Sequence, residues 1–233
     1  GLILVLLLVL AAEFVNGWTD APNAIATVVS TRVLSPRRAV LLATLLNIAG
    51  TLSGTAVAAT IGKGIVETGA INLLTIGAAM VSIVIWSTIA WRFGLPTSET
   101  HALVSGLAGA GLATAGPGVL LWVGWQKVLI GLLFSTFLGF GGGWLITLAI
   151  HWLFRHSSPG RVRKLFSKLQ LLSAAFMAFG HGSNDGQKFI GAFTLALVLG
   201  GVLPEFNVSI EVMILCSVVM GIGTSIGGWR IIK

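Results

Sequence analysis

Two short polar clusters, each built around an aspartate, interrupt stretches that are otherwise apolar enough to lie within a membrane. The first, Gly17-Trp18-Thr19-Asp20-Ala21-Pro22-Asn23-Ala24, follows the run Leu2 to Ala12. The second, His181-Gly182-Ser183-Asn184-Asp185-Gly186-Gln187-Lys188, follows Leu169 to Gly180. A carboxylate at bilayer depth costs at least about 2.5 kcal/mol, so it is normally kept only where it works. Paired segments interrupted by Gly, Pro and polar residues are what secondary transporters use to build a site near the midplane. The pattern implies a chain that moves an ion across a membrane.

Composition agrees with that setting. Hydrophobic residues make up 55% of the 233 and charged residues 9%, with a mean hydropathy of +0.98. A soluble domain carries about 25% charged residues. Several stretches reach the roughly 20 apolar residues needed to cross a bilayer, and 31 glycines suit close helix packing in lipid. Trp91, Trp122, Trp125, Trp152 and Trp229 fall near expected span ends, where indoles favour the interface. The single Cys216 excludes an intrachain disulfide and reads as a packing residue in a helix. No Cys or His spacing typical of a metal site occurs.

The formal net charge of +7 does not point to nucleic acid, because the cations are gathered in a few connections. Arg155, Arg161, Arg163, Lys164 and Lys168 share one segment, and Arg32, Arg37 and Arg38 share another. Apolar spans are expected over 2–33 (interrupted at 16–22), 39–60, 71–93, 128–154, 169–202 and 210–229. A further stretch over 102–115 pairs with 71–93 across the polar turn 94–101. Counting crossings places ten of the 14 Lys and Arg on one side. By the positive-inside rule that side is the cytoplasm. The N-terminus is then outside, residues 155–168 form a basic cytoplasmic loop, and 62–68 and 204–208 face outside. A cleaved signal peptide over residues 1–12 is disfavoured, since a basic leading region is missing and the apolar pattern resumes past Asn23.

This parity makes the two aspartate motifs enter from opposite sides, so Gly17-x-x-Asp20 and Gly182-x-x-Asp185 read as elements of an inverted repeat. Residues 1–154 form a first membrane repeat with a hairpin near 94–101. Residues 169–233 begin a second, incomplete one. The fold class is therefore all-α: a polytopic, inverted-repeat carrier with broken helices and a re-entrant hairpin.

The breaks also suggest chemistry. Pro22 disfavours helical backbone at Ala21. Carbonyls from an unwound stretch, with Asp20, Asn23, Asn184 and Asp185, supply hard oxygen ligands for a small cation. Half-helices beginning after each break present N–H groups suited to an anion. The turn Pro96-Thr97-Ser98-Glu99-Thr100-His101 fits an ordinary helix N-cap. It fits equally a hairpin tip offering hydroxyls to a tetrahedral oxyanion. Glu99 is placed to pair with Arg92 or His101, His101 fits packing as well as proton transfer, and Glu13 fits either a coupling-ion group or a helix contact.

At three motifs the chain resembles the inorganic phosphate transporter (PiT) family: Phe14 to Thr27, Leu95 to Ala102, and Gly180 to Lys188. The resemblance runs in order through nearly the whole chain. It implies an inverted-repeat symporter of phosphate with sodium or protons, in some bacterial members of phosphate complexed with a divalent metal. By motif position, Asp20, Ser98, Thr100 and Asp185 resemble phosphate-site residues. Asp20, Asn23, Asn184 and Asp185 resemble a coupling-cation site that would take sodium. Thr19 stands where the family often has Asn, and Glu99 where many members have Thr. The family's second hairpin would fall beyond Lys233, so the chain reads as part of such a carrier.

The expected partners are inorganic phosphate, free or as a metal complex, and the lipid bilayer of the cell membrane, with no nucleic acid; a homodimer is compatible. No cofactor beyond the coupling cation is expected. Two other classes stay open on the residues: a passive anion channel, and an intramembrane hydrolase using Ser98 and His101. The hydrolase leaves both aspartate motifs unexplained, and the chain reads as a transporter rather than an enzyme.

Overall fold

The computed structural model describes residues 1–95 and 97–231. Pro96 of the expected turn and Lys233 lie outside the described residues, as do the side chains of Pro22, Lys63, Trp229 and Arg230. Among the described residues the elements are helical, apart from an isolated bridge between Val66 and Leu120. Ten α-helices follow one another: α1 (Leu2–Thr19), α2 (Ala26–Ser30), α3 (Pro36–Thr51), α4 (Ala56–Gly64), α5 (Leu73–Phe93), α6 (Glu99–Ala115), α7 (Trp122–Phe154), α8 (Pro159–His181), α9 (Gln187–Leu199) and α10 (Ile210–Ile231). Four of them, α1, α5, α7 and α10, are long and apolar enough to cross a membrane.

Local chemistry sets several of these ends. Helix α5 starts at a reciprocal cap: Asn72 Oδ1 accepts from the Thr75 backbone N–H at 3.1 Å, and the Asn72 N–H donates to Thr75 Oγ1 at 3.3 Å. It stops at Gly94, whose φ of 67° closes the last turn in the left-handed region that glycine adopts freely. Pro36 and Pro159 stand in the first turns of α3 and α8, where a missing N–H costs nothing. Helix α6, at 17 residues, is shorter than the roughly 20 needed to span. It returns against α5, so that Thr75 and Thr114 hydroxyls lie 2.9 Å apart. The hairpin's two feet are joined as well: the Glu67 N–H donates to the Val119 carbonyl at 2.8 Å, and Leu121 to Ile65 at 3.2 Å. Both feet therefore lie at the same end of the bundle, as the crossing count requires.

The main core gathers apolar faces of α1, α4, α5, α6, α9 and α10, and includes Val9, Ile65, Ile76, Met80, Leu107, Phe189, Ile190 and Cys216. A smaller cluster seats Ile25, just before α2, and Val28 of α2 against α3 and α8. Cys216 is a packing residue in α10, as expected. Helix α7 lies apart: of its 33 residues Gly124 alone is fully buried, while Phe134, Phe137, Phe140 and Trp144 are exposed.

Three local expectations change. The span over 39–60 is not one helix. It splits at residues 52–55 into α3 and α4, which are bent by 68°. Ser53-Gly54 gives the chain its turn there. The second aspartate motif does not unwind. Residues Gly182–Gly186 form a π-helical turn that joins α8 to α9 in one rod, so no free helix start arises. The segment 155–168 is loop only as far as Ser158; from Pro159 it is already α8. The first motif does break: the chain leaves α geometry at Asp20 and runs through a 3-10 turn, Ala21–Ala24.

Candidate functional site

The two aspartate motifs and the hairpin tip meet where the breaks cluster. Asp20 ends α1, and the hairpin returns to it: the Glu99 N–H, at the start of α6, lies 3.5 Å from Asp20 Oδ2. One residue further along α6, the Thr100 hydroxyl donates to Asp185 Oδ1 at 3.2 Å. Asp185 sits in the π-turn, which widens the helix and turns the carboxylate toward α1 and α6. The remaining Asp185 oxygen faces His181 Nε2 at 3.5 Å. Asp20, His181 and Asp185 each bring a ligand-type atom to one spot, all within 4.8 Å of one another.

Lys188 completes this group. Its ammonium donates to both Asp185 Oδ1 and Thr100 Oγ1, and the side chain is nine-tenths buried. A buried carboxylate is held by a paired cation and hydroxyl donors of this kind. His181 and Lys188 stand four residues before and three after Asp185, the spacing at which charged side chains meet on one helix face. That signal was present in the sequence, but reading the motif as unwound concealed it.

The backbone permits this approach because glycine lines it. A Cβ at Gly182 would fall 2.1 Å from the Asn47 carbonyl oxygen, so α3 lies directly on the π-turn. Asn47 and Thr51 of α3 then reach the motif: Asn47 Oδ1 is 2.7 Å from His181 Nδ1, and the Thr51 hydroxyl is 3.2 Å from the Gly182 carbonyl. The Gln187 side chain accepts from the Val57 N–H at 3.4 Å, serving the first turn of α4.

Glu99 does not pair with Arg92 or His101. It is buried, accepting from the Ser87 hydroxyl at 2.6 Å and the Thr19 hydroxyl at 2.9 Å. It ties α6 to α5 and α1 through these two hydroxyls. Glu13 is also buried in α1, with Asn16 donating to its Oε2 at 3.2 Å, while Glu13 Oε1 and Asn16 Oδ1 lack hydrogen-bond partners.

The other expected site residues lie apart from this group. Ser98 caps α6, its Oγ accepting from the His101 backbone N–H at 3.4 Å. It lines, with Thr97, His101, Ser82, Trp86 and Ser105, a cavity of about 750 Å³ on the α5–α6 flank. Ser98 and Thr100 diverge because Ser98 is the extended N-cap residue of α6, whereas Thr100 lies in its first turn. Asn23 is exposed, and Asn184 is exposed with its amide turned back to the Gly180 carbonyl at 3.1 Å.

Three comparisons bear on this arrangement. A profile of the Phosphate transporter family matches residues 16–233. A Bacillus subtilis (strain 168) protein, "Probable low-affinity inorganic phosphate transporter", is 38% identical over 99% of this chain and 70% of its own length. A Rhizobium meliloti (strain 1021) protein of the same description is 41% identical over 94% of this chain and 66% of its own. The Escherichia coli (strain K12) "Low-affinity inorganic phosphate transporter PitA" is 35% identical, and this chain spans 46% of it. The fold matches a solved structure titled "The sodium-dependent phosphate transporter" with a TM-score of 0.80, covering 99% of this chain and 76% of that one at 21% identity.

Proposed function

The chain belongs to the phosphate transporter family, and from that premise we propose that it serves secondary active transport of inorganic phosphate across the cell membrane, coupled to sodium or protons by alternating access. The observation that carries this reading is the joining of Thr100, Asp185 and Lys188 beside Asp20. A hydroxyl and an ammonium from two different motifs converge on one partly buried carboxylate, next to a second carboxylate at a helix break. A phosphate oxygen can replace the Asp185 oxygen on the same two donors. The released carboxylates then hold the coupling cation, which offsets the charge of the bound anion.

In this reading Thr100, with Lys188, meets phosphate directly. Asp20 and Asp185 act on phosphate through the cation they hold. Asn23, Asn184 and Ser98 join only when the elements around them close, since each lies away from the carboxylates in this structure. Phosphate taken as a metal complex, and a homodimer through exposed faces such as that of α7, fit the same scheme.

Uptake of labelled phosphate into proteoliposomes tests it. Saturable uptake driven by an imposed sodium or proton gradient is the expected result. Non-saturable flux that follows phosphate's own gradient, indifferent to both ions, would favour a passive channel and overturn the reading.

A further inference from the structure

We propose that Glu13, held by Asn16, is a proton-binding site within α1, separate from the carboxylates at the breaks, and that through it a pH gradient drives transport. The role in coupling rests on the carrier reading. The proton itself rests on geometry.

Glu13 and Asn16 are both completely buried and stand one turn apart on α1. They meet at one pair of atoms: Asn16 Nδ2 donates to Glu13 Oε2 at 3.2 Å. The other atom of each group, Glu13 Oε1 and Asn16 Oδ1, has no partner. Both are acceptors. A carboxylate and an amide joined by one hydrogen bond lack a single hydrogen to form a second. A proton on Oε1 that donates to Oδ1 satisfies both orphaned atoms at once. With the amide turned over, its oxygen would face Oε2 at 3.2 Å, and the acid proton would still be needed between two acceptors. The ionised form would bury a charge on one donor, which is far costlier than burying the neutral acid.

The surroundings favour a proton over a metal ion. Helix α1 packs against α5, α9 and α10, and its Val9 and Ala12 join Cys216 of α10 in the apolar core. Hard cations such as Mg²⁺ and Ca²⁺ take about six or more oxygen ligands, and these side chains offer none. Among the described residues no lysine, arginine or histidine makes an ion pair with Glu13. The ionisable groups that face it are Cys216 of α10, Asp185 of the π-turn and Lys188 of α9. Asp185 and Lys188 are bonded to each other, so their opposite charges largely cancel at Glu13. Helix α5 carries one ionisable residue, Arg92, in its last turn. On α1 itself the next is Asp20.

The spacing to Asp20 links the proton to the substrate. Seven residues make nearly two turns, so Glu13, Asn16 and Asp20 share one face of α1, with Glu13 about 10 Å from the break. That polar face is the proton's path to and from the break. Phosphate arriving at Thr100 and Lys188 takes up the ammonium that now offsets Asp185. More negative charge then acts on Glu13 and favours its proton. By reciprocity, a proton on Glu13 favours phosphate. The two bind together and leave together, as symport requires.

Infrared spectroscopy of the purified protein in liposomes reads the proton directly. The carbonyl stretch of a protonated carboxylic acid is expected at neutral pH, shifted in ²H₂O and lost in Glu13→Gln. Asn16→Ala, which removes the donor to that carbonyl, should move the band to higher frequency and keep it. No acid band in the unaltered protein, a readout that needs no variant, overturns the proposal, and so does a band that survives Glu13→Gln. The same proteoliposomes are then given labelled phosphate and a proton gradient. Uptake by the unaltered protein should rise with an inward gradient, and Glu13→Gln should lose that rise. A Glu13→Gln variant that still follows the gradient overturns the coupling role. Uptake driven by sodium alone and indifferent to pH retains the carrier and overturns Glu13 as its coupling group. An acid band that is lost with Glu13, in a protein that takes up no phosphate, supports the proton site and counts against the carrier.

Discussion

The Thr100 hydroxyl lies 3.2 Å from Asp185 Oδ1, across 85 positions of sequence. This contact joins the hairpin to the second aspartate motif. It also means that any ligand displacing Asp185 from Thr100 and Lys188 loosens the hairpin from the α8–α9 rod.

Asp20→Asn and Asp185→Asn are each expected to abolish gradient-coupled phosphate uptake while leaving membrane insertion intact. Each removes a charge that a bound cation needs, and Asn retains the shape. Near-normal coupled uptake in both variants, measured in proteoliposomes, would sink the assignment.

The two hairpin hydroxyls should separate by experiment. Thr100→Ala removes a donor next to Lys188 and should weaken phosphate binding about ten- to a hundredfold, the equivalent of roughly 1.5–3 kcal/mol. Ser98→Ala removes the α6 N-cap, so its main effect should be about 1 kcal/mol of stability with phosphate affinity little changed. Equal affinity losses in the two variants, by equilibrium binding of labelled phosphate, would place the anion on the Ser98 flank instead.

Lys188 offers a test of charge balance. Lys188→Met leaves the Asp185 carboxylate without its ammonium partner and should cost about 3–5 kcal/mol of stability. Adding Asp185→Asn should restore most of it, because the unpaired charge is gone. Thermal unfolding in detergent measures both. A double variant as unstable as Lys188→Met would show that the ammonium matters for packing rather than for the pair.

The sequence made the helical class, the hairpin and the two aspartate positions legible, because each rests on a local signal: apolar length, a turn flanked by helix caps, a carboxylate where none belongs. It did not reveal the partners of those carboxylates. Asn47, Thr51 and Ser87 sit in ordinary apolar helices, and their roles arise from which helix face meets the π-turn, for Asn47 and Thr51, or Glu99, for Ser87. Glu99 was legible as a departure from family pattern, yet its partners Thr19 and Ser87 lie 80 and 12 positions away. The π-turn itself was missed because glycine and asparagine signal a break without saying whether the helix widens or ends.

Gly182→Ala should be felt at a distance from any ligand atom. The added methyl would meet the Asn47 carbonyl oxygen at 2.1 Å, so α3 or the π-turn must move. Overpacking of this kind typically costs about 1–3 kcal/mol. A lowered unfolding temperature in detergent is expected, and an unchanged one would mean that α3 does not lie on the π-turn.

The topology can be checked independently of family and site. From Pro159 to Leu199 the chain is one helical rod through α8, the π-turn and α9. At about 1.5 Å per residue it exceeds a bilayer's ~30 Å hydrocarbon core. Its first turns carry Arg161, Arg163, Lys164 and Lys168, which favour the cytoplasm. Its far end leads to residues 204–208, expected outside. Single cysteines at the exposed positions His156 and Asn207, in a Cys216→Ser background, would be probed in intact cells with an impermeant thiol reagent. Labelling at position 207, and at 156 only after the cells are opened, is the expected outcome. If both react from outside, the rod does not cross. Asp20 and Asp185 would then be approached from one side, and alternating access around a shared site would lose its structural basis.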